Sequence, residues 1–179
     1  YLVVVLNHGS SINGIIFDDC PIDDECLEIL TKGLSITPVS LQQLFLAYTD
    51  ITINGIQYLS DMFKKNNTLK HLGLKSSGIN DQTVKLLMNV LKNDNNTLET
   101  LNLSMNKDLT DACLNYVVEM LEYNQSIRRI SFLYCNISME AQNDFETKIS
   151  KRKDVSIYFV PKWQRHDAKL SIGEQFVFL

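Results

Sequence analysis

Apolar residues return along this chain in a fixed line of about eleven positions, and the line repeats. It reads INGIIFDDCPI, LQQLFLAYTDI, LKHLGLKSSGI, LETLNLSMNKDL and IRRISFLYCNI, beginning at Ile12, Leu41, Leu69, Leu98 and Ile127. The intervals are 29, 28, 29 and 29 residues, and a degenerate sixth start follows at Val155. Within each line one apolar column is Ile15, Leu44, Leu72, Leu101 and Ile130, and two positions on comes Phe17, Leu46, Leu74, Leu103 and Phe132. That period of two predicts a short strand with one buried face. At the sixth start, Val155, Tyr158 and Val160 are expected to continue these columns.

A column of mostly small residues, Cys20, Thr49, Ser77, Asn106 and Cys135, follows each strand. It suits an inward turn, where backbone amides would otherwise be left unpaired. Next comes an apolar column, Ile22, Ile51, Ile79, Leu109 and Ile137, with one residue inserted in the fourth copy. The residue after it is Asp23, Thr52, Asn80, Thr110 or Ser138, each a preferred helix N-cap. Acids follow in the first turn (Asp24, Glu25, Asp81, Asp111, Glu140), and basic residues gather near several helix ends, both as the helix dipole favours. Two further apolar columns, Leu30, Leu59, Leu87, Val117, Phe145 and Leu34, Phe63, Leu91, Leu121, Ile149, lie four residues apart on one helical face.

Each unit is therefore strand, turn, helix, turn, and successive strands must run parallel. A unit of this kind cannot bury its apolar side alone, so the units stack. The fold class expected is α/β: a right-handed solenoid with a parallel sheet on the concave face and helices on the convex face. Five repeats occupy 12–40, 41–68, 69–97, 98–126 and 127–154. Residues 1–11 are expected to close a preceding, truncated repeat as a helix. Residues 155–179, which hold Trp163 and end in FVFL, are expected to supply the last strand and a C-terminal cap. The chain begins without Met, so a piece of a longer protein, or numbering after processing, is expected.

The pattern resembles the leucine-rich repeat family, LxxLxLxxN/CxL, and its length of 28–29 residues with a full helix resembles the ribonuclease-inhibitor-like class. The Asn/Cys column is only partly kept. The resemblance implies a protein-binding module. It leaves open a regulatory or sensor domain of a larger protein (immune-receptor-like or GTPase-activator-like), a tropomodulin-like actin-capping domain, or a bacterial host-directed effector.

Composition narrows the chemistry. Net charge is −4, which argues against nucleic acid as the main partner. Residues 1–61 carry −7 and the remainder +3, an acidic and a mildly basic end. No apolar run is long enough to span a membrane, and YLVVVL lacks the flank and cleavage site of a secretory signal. Cys20, Cys26, Cys113 and Cys135 have no metal-ligand spacing and are expected to be reduced thiols of a cytoplasmic, reducing compartment, a secreted effector being the alternative. DDCPIDDE lacks the glycine of a calcium loop. His8, His71 and His166 are not at ligand spacing, and no nucleophile elbow, phosphate loop or dinucleotide motif occurs. No catalytic residue, metal, cofactor or small-molecule substrate is expected. Five N-x-S/T sequons occur, but Asn66, Asn95 and Asn124 mark the same turn of successive repeats and are expected to serve that turn rather than carry glycans.

The expected working surface is the concave side of the strands. Its rows are Gln43, His71, Thr100, Arg129, then Ile16, Phe45, Gly73, Asn102, Ser131, with further rows at the strand ends. Candidate partner-binding residues are Phe45, Tyr48, His71, Lys75, Met105, Arg129, Leu133 and Tyr134, because aromatics and Arg among polar residues are typical of interface hot spots. The partner is expected to be a protein, of open identity.

Overall fold

A computed structural model of the chain describes residues 13–17, 20–36 and 41–160. Its elements alternate: β1 (Gly14–Ile16), α1 (Asp24–Ile36), β2 (Gln43–Phe45), α2 (Ile53–Phe63), β3 (His71–Gly73), α3 (Asp81–Asn93), β4 (Thr100–Asn102), α4 (Ala112–Tyr123), β5 (Arg129–Ser131), α5 (Met139–Lys148) and β6 (Ser156–Tyr158). All neighbouring strands pair in parallel, in the order β1-β2-β3-β4-β5-β6. The sheet lines the concave side and the helices the convex side. The closing helix expected over 1–11, Ile12, Asp18, Asp19 and the cap expected over 161–179 lie outside the described residues.

Between the two layers sits one core. Leu44, Leu72, Leu101 and Ile130 are paired in register and are at most 1% exposed. The helical columns meet them: Leu30, Leu59, Leu87, Val117 and Phe145 are all buried. A fully buried side chain of this size contributes about 1.5–3 kcal/mol, and these ladders run through every repeat. No unit could retain them if separated from its neighbours.

The sixth strand departs from the expected register. Ile157, not Tyr158, pairs with Ile130, and Tyr158 pairs with Ser131 on the open face. Phe159, not Val160, takes up the line of Phe132, stacking on it at 5.6 Å and meeting Phe145 edge-on at 6.0 Å. One residue fewer separates the turn from the strand, and a slip of one exchanges the two faces. Val160 is buried all the same.

The helix starts fall where the capping residues stand. Asp23 Oδ1 accepts from the Cys26 N–H at 2.9 Å, Thr52 Oγ1 from Asn54 at 3.2 Å, and Ser138 Oγ from Ala141 at 3.2 Å. Asn80 accepts from Thr83 at 3.0 Å and donates its own N–H to Thr83 Oγ1 at 2.9 Å, a reciprocal capping box. In the fourth repeat the helix begins one residue later than expected, at Ala112, whose N–H Thr110 Oγ1 accepts at 3.3 Å.

The first-turn acids do more than answer the helix dipole. Asp81 accepts from the Thr110 N–H at 2.9 Å and from its hydroxyl at 2.6 Å, and Asp111 does the same for Ser138 at 2.6 and 2.7 Å. Asp24 reaches the N–H and hydroxyl of Thr52. Each carboxylate thus ties one helix start to the next. The second repeat has Ile53 in this column, and there the Asn80 N–H turns to Thr83 instead.

Two further polar ladders stitch the repeats. In the inward turn, Asn106 accepts from the N–H groups of Ser77 and Ile79 and donates to the carbonyls of Leu74 and Leu103, each at 2.8 Å. Smaller members of the column, Ser77 and Cys135, donate to the Leu46 and Leu103 carbonyls of the preceding repeat. Before each strand stands the Asn66, Asn95, Asn124 column. Asn124 Nδ2 donates to Leu91 and Asn95 carbonyls at 2.7 and 2.8 Å, and its Oδ1 accepts from Ser126 and Ile127. Arg152 occupies the same place in the last repeat and donates to the carbonyls of Leu121 and Asn124. Asn95 and Asn124 are 3% and 0% exposed, which leaves their amides closed to a glycan.

Candidate binding face

The exposed row nearest the strand starts is Gln43, His71, Thr100, Arg129 and Ser156, placed side by side by the register. Two residues further along, on the same face, is the row Ile16, Phe45, Gly73, Asn102, Ser131 and Tyr158. Between these rows runs a shallow groove of about 120 Å³, bordered by Phe45, His71, Thr100, Asn102, Arg129 and Tyr158.

Gly73 makes the groove possible. Phe45 lies across its Cα, and a Cβ on Gly73 would collide with the ring at Cδ1. The phenyl is half-buried and lines the groove. Asn102 Oδ1 accepts from the Ser104 N–H at 3.0 Å, and Ser131 and Ser104 share a hydrogen bond at 2.7 Å. The groove floor is thus internally satisfied.

Its polar bank is not. The side chains of Gln43, His71, Thr100 and Arg129 make no hydrogen bond or ion pair with any described residue. The row just before them is different, since Lys70 pairs with Glu99 at 3.0 Å and Arg128 with Asp154 at 2.8 Å. Burial holds the His71 imidazole below its ordinary value of 6.5; Glu99 opposes this, while Arg129 and Lys70 reinforce it.

Three of the sequence-derived candidates, Phe45, His71 and Arg129, come together in the groove. The other five stand beyond it, where the strands end. Tyr48 and Tyr134 are 38% and 45% exposed; Lys75, Met105 and Leu133 are half-buried. The Lys75 ammonium sits 5.2 Å from the Tyr48 ring centre, a cation–π contact that shields both. Tyr48, Ser76, Met105 and Tyr134 share one column and one backbone conformation, φ between 50° and 62°. This left-handed conformation costs a non-glycine residue roughly 1–2 kcal/mol. Ladder bonds hold it, as Tyr48 N–H reaches the Lys75 carbonyl at 3.0 Å and Met105 N–H that of Leu133 at 2.7 Å.

Tyr158 borders the groove because the last strand lies one residue out of the expected register. The alternation Val155, Ile157, Phe159 was the available signal. The charge asymmetry is also redistributed. Among the described residues of the first 61, the acids lie on helices and turns, none on a strand. The only ionisable side chains on the described strands, tyrosine aside, are His71 and Arg129.

A second cleft of about 200 Å³ opens on the convex side between α4 and α5, lined by Leu114, Val118, Phe145 and Lys148. Its charged groups are already engaged, Lys148 with Asp144 at 2.7 Å and Asp111 with Ser138. All four cysteines are free thiols; burial pushes Cys113 up, and Cys135 to about 11, which makes both poor nucleophiles. No cluster of His, Cys, Asp and Glu able to hold a metal occurs among the described residues, and no described helix is long and apolar enough to cross a membrane.

No family model matches the chain. It is 34% identical over 113 residues to the mouse NACHT, LRR and PYD domains-containing protein 4C, covering 63% of this chain and 11% of that protein. Against the bovine NACHT, LRR and PYD domains-containing protein 3 it is 30% identical over 129 residues, 72% of this chain and 12% of the relative. The chain thus spans only about a tenth of the length of these relatives. Among solved structures, leiomodin-1 actin-binding site 2 superposes with a TM-score of 0.63 at 16% identity, covering 78% of this chain and 79% of that one. A Bacteroides fragilis protein superposes at 0.53 and 11% identity, over 82% of this chain and 40% of its own.

Proposed function

Because the chain is a leucine-rich repeat protein of the ribonuclease-inhibitor-like class, we propose that it is a non-enzymatic recognition module that binds a protein partner through its concave sheet. The observation that carries this reading is the contrast between polar groups. Asn95, Asn106, Asn124, Asp81 and Asp111 are all engaged in holding one repeat to the next. The side chains of Gln43, His71, Thr100 and Arg129 form no hydrogen bond or ion pair among the described residues, yet the sheet holds them in one row. A backbone already ordered by its scaffold has little freedom left to lose on binding. Beside that row, Phe45, Tyr158 and the Tyr48 and Tyr134 ridge supply aromatic area of the kind that anchors protein interfaces.

Among the described residues the sheet face offers an open, shallow groove, whereas catalysis calls for a water-excluding pocket in which acid, base and nucleophile converge. A second reading is compatible with the first. The named relatives carry their matching stretch within much longer chains, so the module serves as the recognising part of a larger regulatory protein. In that case its partner changes the state of domains elsewhere in that protein.

Site-specific photo-crosslinking tests the surface. A photoreactive residue at Tyr48, Arg129 or Tyr134 is expected to capture the partner, and the same residue at the convex positions Ile29 or Tyr123 is not. Capture from the helix side alone would overturn the concave assignment. Co-sedimentation with filamentous actin, the ligand in the name of the leiomodin structure, identifies or eliminates one partner directly.

A further inference from the structure

We propose that the groove is an acceptor for a carboxylate, the acidic side chain of an extended partner segment, held by Arg129 with Thr100 and His71 beside it, while an apolar residue of the same segment lies on Phe45. The proposal rests on the concave-face reading and adds the chemistry of what is recognised.

Charge carries it first. Lys70 has Glu99 at 3.0 Å, Arg128 has Asp154 at 2.8 Å, and Arg152 has the same Asp154 at 3.0 Å. Among the described residues, Arg129 alone of this group has no carboxylate partner, although it borders the groove and is exposed. A guanidinium presents a planar fork of donors that matches a carboxylate in bidentate fashion. Around it the bank offers further donors and no anion of its own: the Thr100 hydroxyl next door, then the His71 imidazole. Glu99, in the row just before, is paired with Lys70 at 3.0 Å.

Spacing carries it next. Arg129 and His71 lie two strands apart, about 9.6 Å, with Thr100 between them. A carboxylate above Thr100 therefore has a donor below and one on either side. From there Phe45 is two strands across and two residues along, roughly 12 Å. An extended chain covers about 13 Å in four residues, with both side chains on one face. An Asp or Glu and an apolar residue four positions apart fit this groove.

Panning a phage-displayed random peptide library on the whole chain, then on Arg129→Gln and Phe45→Ala, tests the proposal. Wild type is expected to enrich peptides with an Asp or Glu and an aliphatic or aromatic residue four positions away, and Arg129→Gln to lose the acid. A synthetic consensus peptide is then measured by fluorescence anisotropy in a double-mutant cycle. Either Arg129→Gln or the peptide's own acid-to-amide change should weaken binding by about ten- to a hundredfold, and the two together should add little. Arg129 is exposed, so thermal melting of the variant should match wild type. Peptides that lose affinity on Phe45→Ala but show no acid preference, or keep it on Arg129→Gln, overturn the carboxylate site and leave the concave reading standing. Peptides indifferent to every concave substitution overturn both.

Discussion

Truncating Asn124 measures what the polar ladders contribute to the solenoid. The side chain is 0% exposed, and its amide completes four backbone groups of three successive repeats: carbonyls of Leu91 and Asn95, and N–H groups of Ser126 and Ile127. Asn124→Ala removes all four partners at once. Each buried group left unpaired costs about 1–3 kcal/mol, so even the low end sums to about 4 kcal/mol. At a urea slope of about 2 kcal/mol/M, that moves the unfolding midpoint down by about 2 M, read by circular dichroism.

The first member of the column is the control. Asn66 is half-buried and accepts from the Thr68 and Leu69 N–H groups, but donates to no carbonyl of the preceding repeat among the described residues. Asn66→Ala should cost about half as much or less. Asn124→Asp is the sharper variant. It keeps the acceptor and turns the donor into a carboxylate oxygen facing two carbonyls, so at neutral pH it should be worse than Ala. Acidification should recover part of the loss as the carboxyl regains one donor. Equal midpoints for Asn66→Ala and Asn124→Ala would refute the ladder argument.

A second prediction concerns α3, whose start, unlike those of α2, α4 and α5, takes no carboxylate from the preceding repeat among the described residues. Thr83→Ala orphans the Asn80 N–H and should cost about 1 kcal/mol; Ile53→Asp, which supplies the missing acid, should restore stability in that background and change little in wild type. If Ile53→Asp fails to rescue Thr83→Ala in thermal melts, the carboxylates do not act across repeats. A third concerns His71, whose proton affinity in the folded state is held down chiefly by burial. Below its ordinary value of 6.5 the unfolded chain binds more protons than the folded one, so stability falls as pH drops through that point and levels off below the folded pKa. His71→Gln should remove this slope from denaturation measured across pH 5–8, and an unchanged slope would place its cause elsewhere.

The core was legible because burial writes itself into spacing. Ile15, Leu44, Leu72, Leu101 and Ile130 recur at the period of the unit, and all five are buried. Helix starts were legible for a related reason, since capping needs a particular chemistry at one position. The roles of Asp81 and Asp111 were not, because a helix-dipole acid and an acid bonded to the next repeat are the same letter in the same place. The last strand misled because constant period was assumed where one residue had been lost. In the site, the period of two puts Phe45 in its row of the open face, where it stands half-buried. Its fold onto Gly73 depends on a missing side chain one strand away, a relation between repeats that reading one line at a time does not expose.

That relation between repeats also accounts for why the concave row stays in place without bonds of its own. A three-residue strand such as β3 has little rigidity by itself. Here β3, β4 and β5 are fixed at their entries by Asn66, Asn95 and Asn124, the last two reaching into the preceding repeat, and at their exits by Ser77, Asn106 and Cys135, which reach into it as well. The left-handed residues Tyr48, Met105 and Tyr134 sit just before the second clamp, so its bonds hold a backbone turn that is unfavourable alone. The strands are thereby set in position and direction before any ligand arrives. Gln43, His71, Thr100 and Arg129 need contribute nothing to that order, which leaves their donors open to a partner.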